Sequence, residues 1–367
     1  MTIVSIVKCK DYEYKKLKKA IKNAIDFIGG LEKFIKDNDK VLIKPNLCNA
    51  LSPENAITTH PLFIMAISEL VKEFGLEVWI GDGSAGTDPS YTDKTFEISG
   101  VKRVAEELDI KLINFHRDKR IKVEVKEGKI LKEIDIPKCI SDVDMIINLP
   151  KLKVHGLTFY TGSIKNIFGC LSGNLKKYIH MMKKDEFSQA LLDIYSTVKP
   201  DLTLMDAVLG LEGENISHGN PKKVGLVLSG TDGVAVDTVA CEIIGYHSLA
   251  IPTIKFANKR KIGIGNLKKI KIIGNNLEKV KIHNFKKSSI FFNQNIEKKE
   301  NDYCKEHVFE FEIIKERCIK CWSCARSCPT HAIKLNPYPS FNRERCIHCY
   351  CCYEVCSQRA IQSKIST

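Results

Sequence analysis

The sequence predicts an α/β fold, a mostly parallel sheet with flanking helices, followed by a small C-terminal α+β module. Three observations carry this prediction. Short apolar runs alternate with segments of helical periodicity between residues 11 and 273. Polar residues gather just after the predicted strands, where α/β sheets bind ligands. Near the C-terminus, eight of the fifteen cysteines fall into two runs of one spacing.

Leu17, Ile21, Ile25 and Ile28 recur at helical spacing within residues 11–36. Val41–Pro45 reads as a buried strand. Thr59 as N-cap and Pro61 at the first helical position start a helix that runs to about Gly75. Glu77–Ile80 is the next strand. A helix over 101–109, a strand over 111–115 and a hairpin turning at Glu127 and Gly128 follow. Asp144–Leu149 is a strongly apolar strand. A helix over 185–198 stops before Pro200, and a strand over 202–205 follows. The strand over 224–228, the helix over 234–244 and the strand over 270–273 complete the alternation. The expected division is an α/β domain over 1–285, a linker over 286–310 rich in Asn, Lys and Glu, and a module over 311–367.

Cys318, Cys321, Cys324 and Cys328 stand in C-x2-C-x2-C-x3-C order, and Cys346, Cys349, Cys352 and Cys356 repeat it 28 residues later. A four-iron cube needs one soft thiolate per iron, and this spacing wraps thiolates around two 4Fe–4S clusters. The fourth cysteine of each run serves the other run's cluster. Cluster I would take Cys318, Cys321, Cys324 and Cys356; cluster II would take Cys346, Cys349, Cys352 and Cys328. Zinc also binds C-x2-C pairs, but its sites rarely need this longer order twice over. The flanks match too: Pro329–Ile333 corresponds to Ser357–Ile361. Each half should be a loop, a short helical turn and a strand. Residues Ile314 to Ile365 resemble the bacterial two-cluster ferredoxins, with Ser357 where that family usually has proline. The module is therefore expected to be ferredoxin-like. Cys351 is an extra thiol beside Cys352, read as a bystander.

The net charge is +13, of which residues 304–367 carry +4. Two all-cysteine clusters would add about −4 by charge counting, so the excess lies in the large domain. The lysine-rich run from Lys255 to Lys299 shows no stacking pattern and reads as a solvated face, so nucleic acid is not expected as a partner. No apolar run approaches the ~20 residues of a membrane span. Met1–Lys8 lacks the pattern of a signal peptide. Cys9, Cys48, Cys139, Cys170, Cys241 and Cys304 are scattered. With cluster ligands present, a reducing cytoplasm is the expected setting. Gly81–Gly86 matches G-x-G-x-x-G, but Asp88, Pro89 and Ser90 interrupt before any helix, so no dinucleotide site is expected. No phosphate-loop motif G-x-x-x-x-G-K-[ST] occurs.

At the sheet's carboxyl end the candidate substrate-binding residues are Lys44, Asn46, His60, Asp82, Ser84, Lys151, Lys153, Asn166 and Asp206. Lysines and histidines dominate, which suits an anionic small molecule. Several segments resemble the domain-of-unknown-function family 362. They are Ile43–Asn46, Thr59–Pro61, Gly81–Gly83, Pro150–His155, Tyr160–Gly169, and Asp206 with Gly213. The resemblance spans about residues 30–275 and implies a C-terminal ferredoxin module in many members. His155 to Gly169, with His180, also resembles a segment of lactate racemase-type enzymes. That likeness implies that Lys165 matches a lysine tethering a nickel-pincer nucleotide, and His155 and His180 its acid–base or nickel-facing histidines. Ser163 and Ile164 stand where those enzymes have Gly-Arg.

The reading that follows is an iron–sulfur oxidoreductase with an electron donor or acceptor protein as partner. Lys165, His155 and His180 are its candidate catalytic residues, with a histidine as proton donor. Two alternatives stand beside it: an electron-carrier subunit whose large domain docks a partner enzyme, and a racemase-like nickel enzyme.

Overall fold

The computed structural model describes residues 1–213, 219–288 and 309–365. Most of the expected linker, and Cys304, lie outside the described residues. The strands are β1 (Thr2–Lys8), β2 (Lys40–Pro45), β3 (Glu77–Asp82), β4 (Lys111–Asn114), β5 (Arg120–Glu124), β6 (Glu133–Pro137), β7 (Met145–Leu149), β8 (Lys151–His155), β9 (Phe159–Thr161), β10 (Leu202–Glu212), β11 (Asn220–Gly230) and β12 (Ile270–Gly274). The helices are α1 (Tyr14–Asp26), α2 (Pro61–Lys72), α3 (Pro89–Ile98), α4 (Val101–Glu107), α5 (Ser163–Asn166), α6 (Gly173–His180), α7 (Lys184–Val198), α8 (Gly233–Ile243) and α9 (Pro252–Lys259).

Among the described residues, ten strands join in one sheet of order β12-β1-β11-β10-β7-β2-β3-β4, with β8 beside β10 and β9 beside β8. The sheet is mostly parallel; β11 runs antiparallel to both β1 and β10, and β9 to β8. Two apolar cores cover its faces. Leu17, Ile21, Phe63 and Ile67 of α1 and α2 belong to one; Leu191, Ile194, Val236 and Val239 of α7 and α8 belong to the other. β5 and β6 form the expected hairpin, with Glu127 left-handed at φ 57°.

Several boundaries differ from expectation for identifiable reasons. Helix α1 stops near Phe27 because Gly29 and Gly30 take φ 121° and 85°. The cap of α2 is His60, whose Nδ1 accepts from the Leu62 N–H, while the Thr59 hydroxyl donates to the Leu149 carbonyl. Asp88 and Pro89 do not merely interrupt: Asp88 caps α3, accepting from the Ser90 N–H, with Pro89 at the first helical position.

Helix α5 carries Lys165 and Asn166, and a buried carboxylate on α8 holds its start. Asp237 Oδ1 accepts from the Ser163 N–H at 2.6 Å and from the Tyr160 hydroxyl at 3.0 Å; Oδ2 accepts from the Ile164 N–H at 3.0 Å. Gly162 permits this approach, since a Cβ there would collide with Asp237 Oδ1 and the Tyr160 hydroxyl.

The C-terminal module contains β13 (Phe309–Ile313), α10 (Ser323–Ser327), β14 (Ile333–Leu335), β15 (Pro339–Phe341), α11 (Cys351–Glu354) and β16 (Ile361–Ile365). β13 pairs with β16, and β14 with β15, both antiparallel. Its two halves share unusual backbone at equivalent positions. Lys320 and His348, Trp322 and Tyr350, and His331 and Arg359 are all left-handed.

Asp237→Ala should leave two helix-start N–H groups unpaired. Each unmet buried donor costs about 1–3 kcal/mol, so the apparent melting temperature should fall by several degrees. An unchanged melting temperature would contradict the role given to Asp237.

Candidate functional site

The carboxyl ends of β2 and β3, strand β8 and helices α5 and α6 surround a cleft of about 700 Å³, partly open to solvent. Asn46, Asp82, Ser84, Lys153, His155, Lys165, Asn166 and His180 all line it. Eight of the expected site residues thus converge on one place. Ser327, Cys351 and Glu354 of the module form another wall. Lys44 lies beneath, wholly buried, with Nζ 2.6 Å from Asp82 Oδ1.

His60, Lys151 and Asp206 are not cleft residues. They form a separate buried network with Tyr12. Lys151 Nζ donates to Asp206 Oδ2 and to the Tyr12 hydroxyl, both at 2.8 Å, and that hydroxyl donates to Asp206 Oδ1. Asp206 also accepts from the His60 N–H, and the His60 ring stacks on Tyr12 at 3.7 Å. This network ties the loop after β1 and the start of α2 to the sheet.

Hydrogen-bond partners assign each histidine its tautomer. His155 Nδ1 accepts from the N–H groups of Leu157 and Thr158, so Nε2 carries the proton and donates to Glu354 Oε1 at 2.8 Å. Burial pushes the His155 pKa down against the pull of Glu354. Burial also pushes Glu354 up, but the Lys165 charge and the His155 hydrogen bond outweigh it and hold the carboxyl well below its usual range. His180 Nδ1 donates to the Lys176 carbonyl at 2.7 Å, which leaves Nε2 as a bare lone pair. That atom is buried with no partner among the described residues, and burial lowers the His180 pKa to about 4. Asn46 Oδ1 and Asn166 Oδ1 are likewise buried acceptors without a donor. Lys165 Nζ lies 4.1 Å from the centre of the Phe168 ring. Lys153 Nζ donates to the Ile57 carbonyl, and burial lowers its pKa.

The sequence reading missed Lys176, His116 and Glu354. Lys176 Nζ lies 3.3 Å from the Gly83 carbonyl, 3.0 Å from the Ser84 carbonyl and 3.2 Å from His116 Nε2. His116 Nδ1 is 3.0 Å from Thr92 Oγ1, which is 2.7 Å from Ser84 Oγ. An ammonium group satisfies all three acceptors around Lys176. A neutral amine can serve both carbonyls and accept from His116 in the other tautomer. The site thus accommodates either state. Burial lowers the Lys176 pKa to about 7; Asp82 opposes this, while Lys44 and Lys165 add to it.

The cysteines of the module line two voids. Cys318, Cys321, Cys324 and Cys356 border one of about 380 Å³. Cys328, Cys346, Cys349 and Cys352 border another of about 310 Å³. The grouping is the crossed one expected from the spacing. Backbone N–H groups of Ala332 and Ala360 donate to Cys328 Sγ and Cys356 Sγ, each at 3.2 Å. Such donors suit thiolates bound to iron. The second void and the cleft share one residue, Cys351. The module is held by His155 on Glu354, by Asn49 Nδ2 donating to the Glu354 carbonyl, and by the Tyr91 hydroxyl donating to the Val355 carbonyl.

The profile of the Domain of unknown function (DUF362) matches residues 41–242, more than half of the chain. The chain belongs to the DUF362 family. The profile of the 4Fe-4S binding domain matches residues 311–334, so this DUF362 member is also an iron–sulfur protein. The thylakoid-associated protein sll1697 of Synechocystis sp. is 29% identical over 265 residues, 71% of this chain and 79% of that protein. Two solved structures are more distant. The lactate racemase apoprotein of Thermoanaerobacterium thermosaccharolyticum aligns at TM-score 0.40 and 12% identity, over 63% of this chain and 54% of that one. A Thermotoga maritima protein aligns at TM-score 0.38 and 15% identity, over 69% of this chain and 60% of that one. The DUF362 chain therefore spans less than two thirds of either structure. Among the described residues, no helix is long and apolar enough to cross a membrane.

Because the Lys176 pKa is lowered on folding, the unfolded chain binds more protons between about pH 7 and pH 10.5. The penalty for burying this ammonium is full below pH 7 and fades as pH rises. Lys176→Met should therefore help most, relative to wild type, near pH 6, and the advantage should shrink by pH 9.5. Apparent melting temperatures at both pH values check this; a mutational difference independent of pH would contradict it.

Proposed function

We propose that this DUF362 protein is a two-cluster iron–sulfur oxidoreductase that binds an anionic small molecule in the cleft. The observation that carries the reading is the shared wall. Cys351 borders both the cleft and the void of Cys328, Cys346, Cys349 and Cys352. A redox group held there would lie beside a bound ligand. When bound, the clusters supply one-electron transfer.

The protein's own groups divide the remaining work. Lys165 and Lys153 attract negative charge. Asn46 Oδ1 and Asn166 Oδ1 need donors, so the ligand carries hydroxyl or amino groups as well as an acid group. His155, with both ring nitrogens engaged, positions Glu354 rather than donating a proton to the ligand. Proton traffic falls to His180 Nε2 and, through His116, Thr92 and Ser84, to Lys176.

Anaerobic reconstitution should give about eight irons and eight sulfides per chain, two four-iron cubes. Stoichiometric zinc without iron would contradict the reading. With hydroxycarboxylates as probes, Lys165→Ala should weaken calorimetrically measured binding about tenfold, as loss of one charged hydrogen bond does. Equal affinity in the variant would remove Lys165 from the site.

A further inference from the structure

We propose that the outer half of the cysteine module, centred on Trp322 and Arg326, is the landing face for a small acidic electron-transfer protein. The module's two equivalent halves differ in what lies against them. In the inner half, Tyr350 rests on the large domain, where a Cβ added to Gly156 would meet its ring at 3.4 Å. One helical turn on, Glu354 reaches His155. An aromatic residue and a charged residue thus form the contact that seats this half on the DUF362 domain.

The outer half repeats the arrangement with its aromatic residue uncovered, while the Arg326 charge acts on Asp88 at the start of α3. Trp322 stands at the position of Tyr350, with φ 63° against 61°, and Arg326 stands at the position of Glu354. Trp322 is 52% exposed and neighbouring Ile319 is 56% exposed. The backbone that leaves Tyr350 partly covered therefore presents Trp322 to solvent. The charge is also reversed. Where the inner half offers Glu354 to an imidazole, the outer half offers Arg326, flanked by exposed Lys315, Arg317 and Lys320 with Glu316 as the acid among them. The partner contact must then be acidic, with apolar surface to cover Trp322 and Ile319.

Position favours an electron carrier over other acidic proteins. Cys321, a ligand of cluster I, is exposed between Lys320 and Trp322. Its void borders none of the cleft residues, whereas the other void does. Cluster I would then be the outer end of the wire and cluster II the inner end. Held by Cys318, Cys321, Cys324 and Cys356, cluster I would accept one electron from the partner's reduced centre, with no bond made and no proton moved. This inference rests on the proposal that the module carries electrons, so iron content is measured in every sample to separate the two failures.

The test is anaerobic stopped-flow reduction of the cluster-loaded protein by a reduced acidic two-cluster ferredoxin, with reduced methyl viologen as a small cationic control. The ferredoxin rate should fall about tenfold between low and moderate salt. Arg326→Glu should lower it about tenfold at low salt, and so should the double change Arg317→Glu with Lys320→Glu, which leaves the Arg326 bond to the Cys321 carbonyl in place. The viologen rate should stay within twofold and iron content should not change. A ferredoxin rate insensitive to salt and to both variants would overturn the proposal. So would a dimer of this chain that forms through the face and is lost in the variants.

Discussion

One buried carboxylate joins the two parts of this molecule. Glu354 sits between two cysteines of the second run, yet its side chain reaches out of the module to His155 on β8. The carboxylate is deprotonated and the ring is fixed in the Nε2–H tautomer by two backbone N–H groups. A hydrogen bond from a neutral ring to a charged group contributes about 1.5–3 kcal/mol. The module's position over the sheet end depends on this contact, supported by Asn49 and Tyr91. The cleft depends on it too, because without the module it loses the wall formed by Ser327, Cys351 and Glu354.

Buried charge separates scaffold from site. Lys44 and Lys151 are wholly buried, but each has a carboxylate, Asp82 or Asp206, within 2.8 Å. Such matched pairs organise backbone: Asp82 also takes the Leu47 N–H, and Asp206 the His60 N–H. Lys153, Lys165 and Lys176 have no carboxylate in contact among the described residues. Leaving cations and bare acceptors such as His180 Nε2 unmatched is costly. The cost is offset when a ligand brings the missing charge and donors.

Much of this was legible in the sequence. The cysteine spacing foretold how the eight cysteines group, three from one run with the fourth from the other, because three residues on one tight loop leave the fourth to come from elsewhere. The position of polar residues after β2, β3 and β7 foretold which end of the sheet carries the cleft. What remained hidden was pairing across long sequence distances. Nothing local distinguishes Lys151, closed off by Asp206 and Tyr12, from Lys153 two residues on, which lines the cleft. Strand alternation sends both side chains to one face, and only the β10 register, with Asp206 opposite Lys151, separates them. Lys176 was passed over because its interest lies in three acceptors that come from the loops after β3 and β4. The Asp88-Pro89 pair was legible as a helix start and was read instead as a break.

The central claim is that a redox centre borders the cleft through Cys351. Diffraction from anaerobically prepared crystals at the iron absorption edge measures this directly. The account predicts two four-iron anomalous peaks, one among Cys328, Cys346, Cys349 and Cys352 and within van der Waals reach of the Cys351 side of the cleft. Iron only among Cys318, Cys321, Cys324 and Cys356, or a module lifted away from His155, would contradict it.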